Sequence, residues 1–90
     1  MNSETYLNHP NFGLLYQVCV VGESKELFAT LYAQRLFFVV TNGVDGVRFD
    51  PVSRTDARLQ VESRLRQLRR NAPSKDYDHL QAIYKRTFQS

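Results

Sequence analysis

The pattern of apolar and polar residues changes along the chain and separates two halves. In the first half, short apolar runs are divided by turn signals such as Asn-Gly at residues 42–43 and Asp-Gly at residues 45–46, a pattern typical of β-strands. In the second half, apolar residues recur at spacings of three and four, which predicts amphipathic helices. We therefore predict an α+β fold, with a β domain over residues 1–52 and a helical region over residues 53–90.

Residues 26–40 hold more apolar side chains than one face of a small sheet needs. They are predicted to form a hairpin with a short polar tip at Ala33 and Gln34. Successive side chains of a strand point to opposite faces. One face then carries Leu27, Ala29, Leu31, Leu36, Phe38 and Val40, and the other carries Phe28, Tyr32, Phe37 and Val39. The second apolar face must be covered by another part of the chain or by another protein. Ala-Gln is a poor two-residue turn, so a slip by one position, which exchanges the faces, stays open.

Turn signals bound the other predicted strands. Residues 8–11 are predicted to form a turn around Pro10, and residues 14–21 a strand. Residues 47–49 are predicted to form a short strand whose extension Pro51 limits. Four or five short strands within about 50 residues favour a small, strongly bent β-barrel of the Tudor or SH3-like kind.

Two capping signals mark the predicted helices, at about residues 54–70 and 75–89. Ser53 with Asp56 fits a capping box, and Ser74 is a candidate cap for the second helix. Each helix has an apolar stripe, and the members of the two stripes are Ala57, Val61, Leu65 and Leu68, then Tyr77, Leu80, Ile83, Tyr84 and Phe88. The short break between the helices predicts an antiparallel helical hairpin.

Charge is distributed unequally between the two halves. Residues 1–52 contain three basic and five acidic residues, whereas residues 53–90 contain nine basic and four acidic residues. The basic residues include the run RLRQLRR at residues 64–70. Three interpretations of this run stay open, namely a solvated helix face, a contact with an acidic protein surface, and a contact with nucleic acid phosphates.

Signals for catalysis and for cofactor binding are weak. The sequence contains no phosphate-binding glycine loop, no Cys or His cluster at metal-ligand spacing and no nucleophile motif, so we expect no enzyme activity, no metal and no cofactor. Cys19 is expected to be a buried, unreactive thiol, and His9 and His79 to be polar surface residues. The apolar runs are too short to cross a bilayer and no signal peptide is visible, which predicts a cytoplasmic protein.

Four blocks of the sequence resemble the PipX family of small cyanobacterial coactivators that interact with the PII signalling protein. They are YLNHP at residues 6–10, FGLLYQ at 12–17, SKELFATLYAQRLFF at 24–38 and RLRQLRR at 64–70. The resemblance covers nearly the whole chain. It implies an N-terminal Tudor-like domain, related to KOW modules, followed by two C-terminal helices.

The resemblance also implies a function that composition does not reveal. Proteins of this family bind the PII trimer when 2-oxoglutarate is scarce and ADP is relatively abundant. When 2-oxoglutarate rises, PII releases them, and they bind and enhance the 2-oxoglutarate-bound transcription factor NtcA. A larger assembly adds the regulator PlmA to the PII-bound protein, and a contact between the helices and RNA polymerase stays open. This chain itself is expected to bind no metabolite directly.

Overlapping surfaces of the Tudor-like domain serve PII and NtcA in this family, which makes the two complexes mutually exclusive. Matching motifs imply that the contacts centre on Tyr32 and Leu36. The motifs imply further, secondary contacts at Glu4, Tyr6, Glu23, Arg35 and Phe38. The helices are expected to stay largely outside the NtcA contact and to open away from the β domain in PII complexes.

The residues alone give one independent argument and one rival hypothesis. Tyr32 lies beside Arg35 at the predicted hairpin tip, and Tyr and Arg are favoured interface anchors, whereas Phe12 and Tyr16 are assigned to the core.

The rival hypothesis is a KOW-like nucleic-acid-binding module that uses the basic helix. The net negative charge of the β half opposes it, so no direct nucleic acid contact is expected.

Overall fold

Five antiparallel strands and two helices follow one another along the chain. A computed structural model describes residues 5–31, 36–70 and 74–89. The strands are β1 (Tyr6–His9), β2 (Gly13–Gly22), β3 (Lys25–Thr30), β4 (Phe37–Gly43) and β5 (Gly46–Val52), and the helices are α1 (Arg54–Arg69) and α2 (Lys75–Phe88). The predicted α+β fold, with an N-terminal β part and a C-terminal helical hairpin, is confirmed.

The sheet is curled into a half-barrel. Each strand pairs with its neighbour in sequence, in the order β1-β2-β3-β4-β5. The curl brings His9, at the end of β1, against Phe49 of β5, and the centroids of the two rings are 4.8 Å apart. A contact between the first and last strands of the sheet gives the half-barrel an enclosed concave side.

The pairing of β3 with β4 differs by one position from the predicted hairpin. Phe28 lies opposite Phe38, and Ala29 lies opposite Phe37. The first predicted pairing, with Ala29 opposite Phe38, was wrong, and the slip by one position that the sequence left open is the register observed. The predicted tip at Ala33 and Gln34 lies outside the described residues. The observed register sets the two large rings of Phe28 and Phe38 side by side on the concave face. On the other face, the small Ala29 leaves space for the ring of Phe37.

Each face of the sheet has its own core, so the chain covers both faces itself. The members of the core on the convex face are Val18, Cys19, Leu27, Ala29 and Phe37 of the sheet with Ala57, Val61, Leu80 and Ile83 of the helices. The core on the concave face contains Leu15, Phe28, Phe38 and Val40, with Leu7 and Phe49 packed against it. The second apolar face is therefore not an open surface for a partner, and apolar exposure must be sought at the ends of the sheet.

Both helices begin at the predicted serines. The Ser53 hydroxyl accepts a hydrogen bond from the backbone N–H of Asp56, and the Ser74 hydroxyl accepts one from that of Tyr77, both at 3.0 Å. Such caps satisfy N–H groups that lack a partner within the helix. The predicted stripes are confirmed, because Ala57 and Val61 of α1 are fully buried and Leu80 and Ile83 of α2 nearly so.

The C-terminal turn of α2 is fastened to both the sheet and α1. Phe88 stacks on Phe37 of the sheet with 5.4 Å between ring centroids. The guanidinium of Arg54, at the start of α1, lies over the Phe88 ring, 5.3 Å from its centroid. Arg54 Nη2 also donates a 2.8 Å hydrogen bond to the carbonyl of Thr87. The Tyr84 hydroxyl donates to Glu62 of α1, and this bond, together with burial, raises the pKa of Tyr84.

Two strand boundaries differ from the prediction. β1 extends through Asn8 and His9, so the predicted turn begins only at Pro10. β5 continues through Pro51 to Val52, although Pro51 was expected to limit it. Proline lacks a backbone N–H, but β5 pairs only with β4 and its outer edge needs no donor.

The β half and the helices share the convex core. The predicted division into domains at residue 52 stays a prediction, because the packing alone does not test independent folding. None of the described helices is long and apolar enough to span a membrane.

Cys19 is one of the core residues, as the sequence predicts. Its side chain is buried against the helices, and burial raises the pKa of the Cys19 thiol to about 12, with Arg64 acting in the opposite direction. A thiol with this pKa is almost entirely protonated at neutral pH and is a poor nucleophile.

The raised pKa of Cys19 predicts a loss of stability at alkaline pH. Unfolding releases the thiol from its buried site, where the pKa is about 12, and restores the ordinary value of 9.0. The contribution of the buried thiol is therefore complete below pH 9 and declines from about pH 9 to about pH 12. We expect the difference in unfolding free energy between the wild type and Cys19→Ala to shrink over this range in urea titrations. A constant difference would contradict the burial of the thiol.

Candidate protein-binding surface

Three exposed apolar side chains lie at one end of the half-barrel. In the antiparallel order, β1 and β3 finish at the end where β2 and β4 begin, and β5 also finishes there. Phe12, Leu31 and Leu36 lie in the connections at this end and are 48%, 39% and 37% exposed. We call these three residues the rim. Exposed large apolar side chains gathered at one end of a small sheet are typical of a protein-binding surface.

Thr30 fixes the positions of Leu31 and Leu36. Its backbone N–H donates to the carbonyl of Leu36, and its hydroxyl Oγ1 accepts from the backbone N–H of Leu36, both at 2.9 Å. The N–H of Leu31 donates to the carbonyl of Leu14 at 3.1 Å, which ties the end of β3 to β2. The two leucines are thus held at the end of the sheet by backbone hydrogen bonds, although their side chains are exposed.

His9 supports the rim from within the concave side. Its Nδ1 accepts hydrogen bonds from the backbone N–H groups of Asn11 and Phe12, at 3.0 and 3.3 Å. The imidazole ring also lies 4.9 Å from the rings of both Phe12 and Phe38, measured between centroids. The prediction that His9 is a polar surface residue is therefore wrong, because the ring is half-buried among phenylalanines.

Phe38 lies beneath the rim. It is 4% exposed, and its ring centroid is 5.6 Å from that of Phe12. Leu36 precedes Phe38 by two positions, and in an extended chain two such residues point to the same face. Phe38 therefore supports Phe12 from the concave core and is not itself an exposed contact residue.

The structure separates the residues that the sequence singles out for partner binding. Leu36 is on the rim, and Tyr6 is exposed on β1, at the edge of the sheet. Glu23 is exposed in the turn between β2 and β3, at the end of the sheet opposite to the rim. The length of β3 puts roughly 20 Å between these two ends. Glu4, Tyr32 and Arg35 lie outside the described residues.

Two rim residues were not identified from the sequence. Phe12 was assigned to the core, and Leu31 to the predicted core face of the hairpin. The signal that could have revealed Phe12 is its position in a turn, between Pro10-Asn11 and Gly13, where a large side chain has little to cover it. Leu31 lies just beyond the last residue of β3, and the sequence alone did not indicate that the strand ends at Thr30.

The chemistry of this surface is that of contact rather than of catalysis. Its exposed members are hydrocarbon or aromatic side chains, and the buried Thr30 hydroxyl is occupied by the backbone of Leu36. Among residues 5–31, 36–70 and 74–89, no group of three His, Cys, Asp or Glu side chains is arranged to hold a metal ion. Such a surface can bind an apolar patch of another protein.

Comparison with known families identifies the kind of partner. The family model described as PipX, PII-interacting protein X, matches residues 3–88 and therefore nearly the whole chain. The chain belongs to the PipX family. No curated protein matched the chain by sequence. PipX proteins are regulatory proteins that interact with PII and are not a known enzyme family. PII is accordingly the partner that membership in the PipX family indicates.

Two of the buried threonine hydroxyls, those of Thr30 and Thr41, allow a matched test of how the rim is held. Thr30→Val removes the acceptor of the Leu36 N–H and should lower the free energy of unfolding by about 1–2 kcal/mol. Thr41 Oγ1 is also buried, but it has no hydrogen-bond partner among the described residues. Thr41→Val should therefore be neutral or slightly stabilising. Urea denaturation measures both effects, and equal losses for the two variants would contradict the assigned function of Thr30.

Proposed function

We propose that this chain is a non-enzymatic transcriptional coactivator that exchanges between PII and NtcA in the cytoplasm. It binds PII when 2-oxoglutarate is scarce and 2-oxoglutarate-bound NtcA when 2-oxoglutarate is abundant. A further assembly adds the regulator PlmA to the PII-bound chain. Membership in the PipX family supports the PII contact directly, and the resemblance of the four sequence blocks supports the remainder.

The observation that carries this proposal is the exposed rim. Both faces of the sheet are covered by the chain itself, so Phe12, Leu31 and Leu36 form an apolar surface that internal packing leaves exposed. Two partners that both need the rim exclude each other, which is the requirement for an exchange.

The proposed contact includes residues on both sides of the β3–β4 connection. Tyr32 and Leu36 form its centre, and Glu4, Tyr6, Glu23 and Arg35 contribute around it. Phe38 acts from below, by holding Phe12 and the start of β4 in position. Since Glu23 lies at the far end of the sheet, a partner that contacts both Glu23 and Leu36 must extend over the length of β3.

The exchange needs no metabolite site on this chain. 2-Oxoglutarate weakens the complex with PII and strengthens the complex with NtcA, and each effect is limited to the difference in affinity between the two states of that partner. A change of about 1.4 kcal/mol in each complex alters each affinity tenfold. Together the two changes would shift the distribution of the chain between its partners by about a hundredfold.

A competition experiment tests the proposed exchange. The full chain is mixed with PII, ADP and NtcA while 2-oxoglutarate is raised, and the complexes are separated by size-exclusion chromatography. We expect the chain to move from the PII fraction to the NtcA fraction as the metabolite increases. A distribution that does not depend on 2-oxoglutarate would refute the exchange, although the contact with PII could still be measured in the absence of NtcA.

Leu36→Ala tests the rim as the shared contact surface. Removal of an anchoring leucine from an interface should weaken binding to PII and to NtcA by about tenfold or more. Val44→Ala is the control, because Val44 is fully exposed in the β4–β5 turn at the opposite end of the sheet. Surface plasmon resonance measures both affinities, and circular dichroism confirms that the variants fold. Unchanged binding of the Leu36 variant to both partners would exclude the rim.

A further inference from the structure

The six arginines of α1 and its C-cap divide into two groups with different surroundings. Arg54 is bound to the carbonyl of Thr87 and lies over Phe88, and Arg64 donates to Gln67 Oε1 at 3.1 Å while lining the groove between the helices and β2. The side chains of Arg54 and Arg64 are therefore engaged in contacts within the chain. The other four, Arg58, Arg66, Arg69 and Arg70, are exposed.

The four exposed arginines share one broad face of α1. Ala57 and Val61 mark the side that is buried against the sheet, and the helical period of 3.6 residues places Arg66 and Arg70 opposite to it and Arg58 and Arg69 on the adjoining flank. They extend over about 18 Å of the helix. None of the four forms an ion pair with another described residue. We call them the arginine strip.

Helix electrostatics explain only part of the arginine strip. Arg66, Arg69 and Arg70 lie in the last turn or at the C-cap, where positive charge is favoured by the helix dipole. Arg58 lies beyond the first turn of the helix, where the dipole has little effect, and its charge opposes the rise that Glu62 and burial cause in the pKa of the nearby Tyr84 hydroxyl. Glu62 is one turn from Arg58 and Arg66, but its carboxylate accepts the Tyr84 hydroxyl and forms an ion pair with neither arginine. The arginine strip therefore retains its charge for an external partner.

An exposed leucine lies within the arginine strip. Leu59 is 51% exposed and precedes Arg66 by seven positions and Arg70 by eleven, so these three side chains follow one line along the helix. An apolar side chain among cations suits a partner that offers both carboxylates and an apolar group. A phosphate backbone offers no apolar contact of this kind.

We infer that the outer side of α1 binds an acidic segment of a partner protein, with carboxylates on the arginine strip and an apolar side chain on Leu59. Arginine pairs with carboxylates through two parallel hydrogen bonds, and complementary charge accelerates association. A protein partner fits better than nucleic acid, because the exposed Leu59 can contact an apolar side chain of a protein, whereas a phosphate backbone offers no such group. This surface is separate from the rim, so the inference does not depend on the proposed exchange.

The test uses the full chain and a fluorescein-labelled helical peptide as long as α1, composed of Glu and Ala with one row of Leu. Fluorescence anisotropy measures binding at low and moderate salt. The main variant carries Arg58→Gln, Arg66→Gln, Arg69→Gln and Arg70→Gln, since glutamine preserves helix propensity. The control removes the same charge elsewhere through Lys25→Gln, Arg48→Gln, Lys75→Gln and Lys85→Gln, all at exposed positions.

We expect the arginine-strip variant to bind the acidic peptide at least about tenfold more weakly, and the control variant to change affinity by less than about threefold. Leu59→Ser should weaken binding of this peptide, but not of a peptide in which alanine replaces the leucine row. Equal losses for the two charge variants, or no binding by the wild type, would overturn the inference. Tighter binding of random duplex DNA than of the peptide would also overturn it, and would assign the arginine strip to nucleic acid.

Discussion

The register between β3 and β4 determines where almost every large side chain of this protein lies. With Phe28 opposite Phe38, the concave side receives two large rings, and the convex side receives Phe37 beside the small Ala29. A shift of one residue would exchange these sets, because neighbouring side chains of a strand point to opposite faces. The stacking of Phe37 on Phe88, which joins α2 to the sheet, would then be lost.

The same register connects the helices with the rim through consecutive residues. Phe37 stacks on Phe88 of α2, and the next residue, Phe38, contacts Phe12 and His9 on the other side. Thr30 forms two hydrogen bonds with the backbone of Leu36, the residue that precedes Phe37 and Phe38. A few residues of β3 and β4 therefore support both the attachment of the helices and the surface proposed for PII and NtcA.

Features encoded by neighbouring residues could be predicted from the sequence, whereas those that depend on distant contacts could not. The caps at Ser53 and Ser74 and the stripes of both helices follow from local hydrogen bonding and helical period, and the structure confirms them. The first predicted pairing of β3 with β4 was wrong because distant contacts decide the register. The stacking of Phe37 on Phe88 and the pairing of Phe28 with Phe38 favour the observed register over the one that a two-residue turn imposes. His9 was mistaken for a surface residue for the same reason, because the phenylalanines around it come from three separate segments. Tyr32, the first choice for the contact, lies outside the described residues, so its contribution stays a prediction.

Two adjacent phenylalanines committed to opposite cores leave the beginning of β4 little conformational freedom. Any rotation of the peptide unit between them would disturb aromatic packing on both sides of the sheet at once. Leu36 is consequently presented by a preorganised backbone, and a partner that binds there pays little ordering entropy on this chain's side. In the proposed exchange, selectivity between PII and NtcA would then come from rearrangements within those two proteins rather than within the rim.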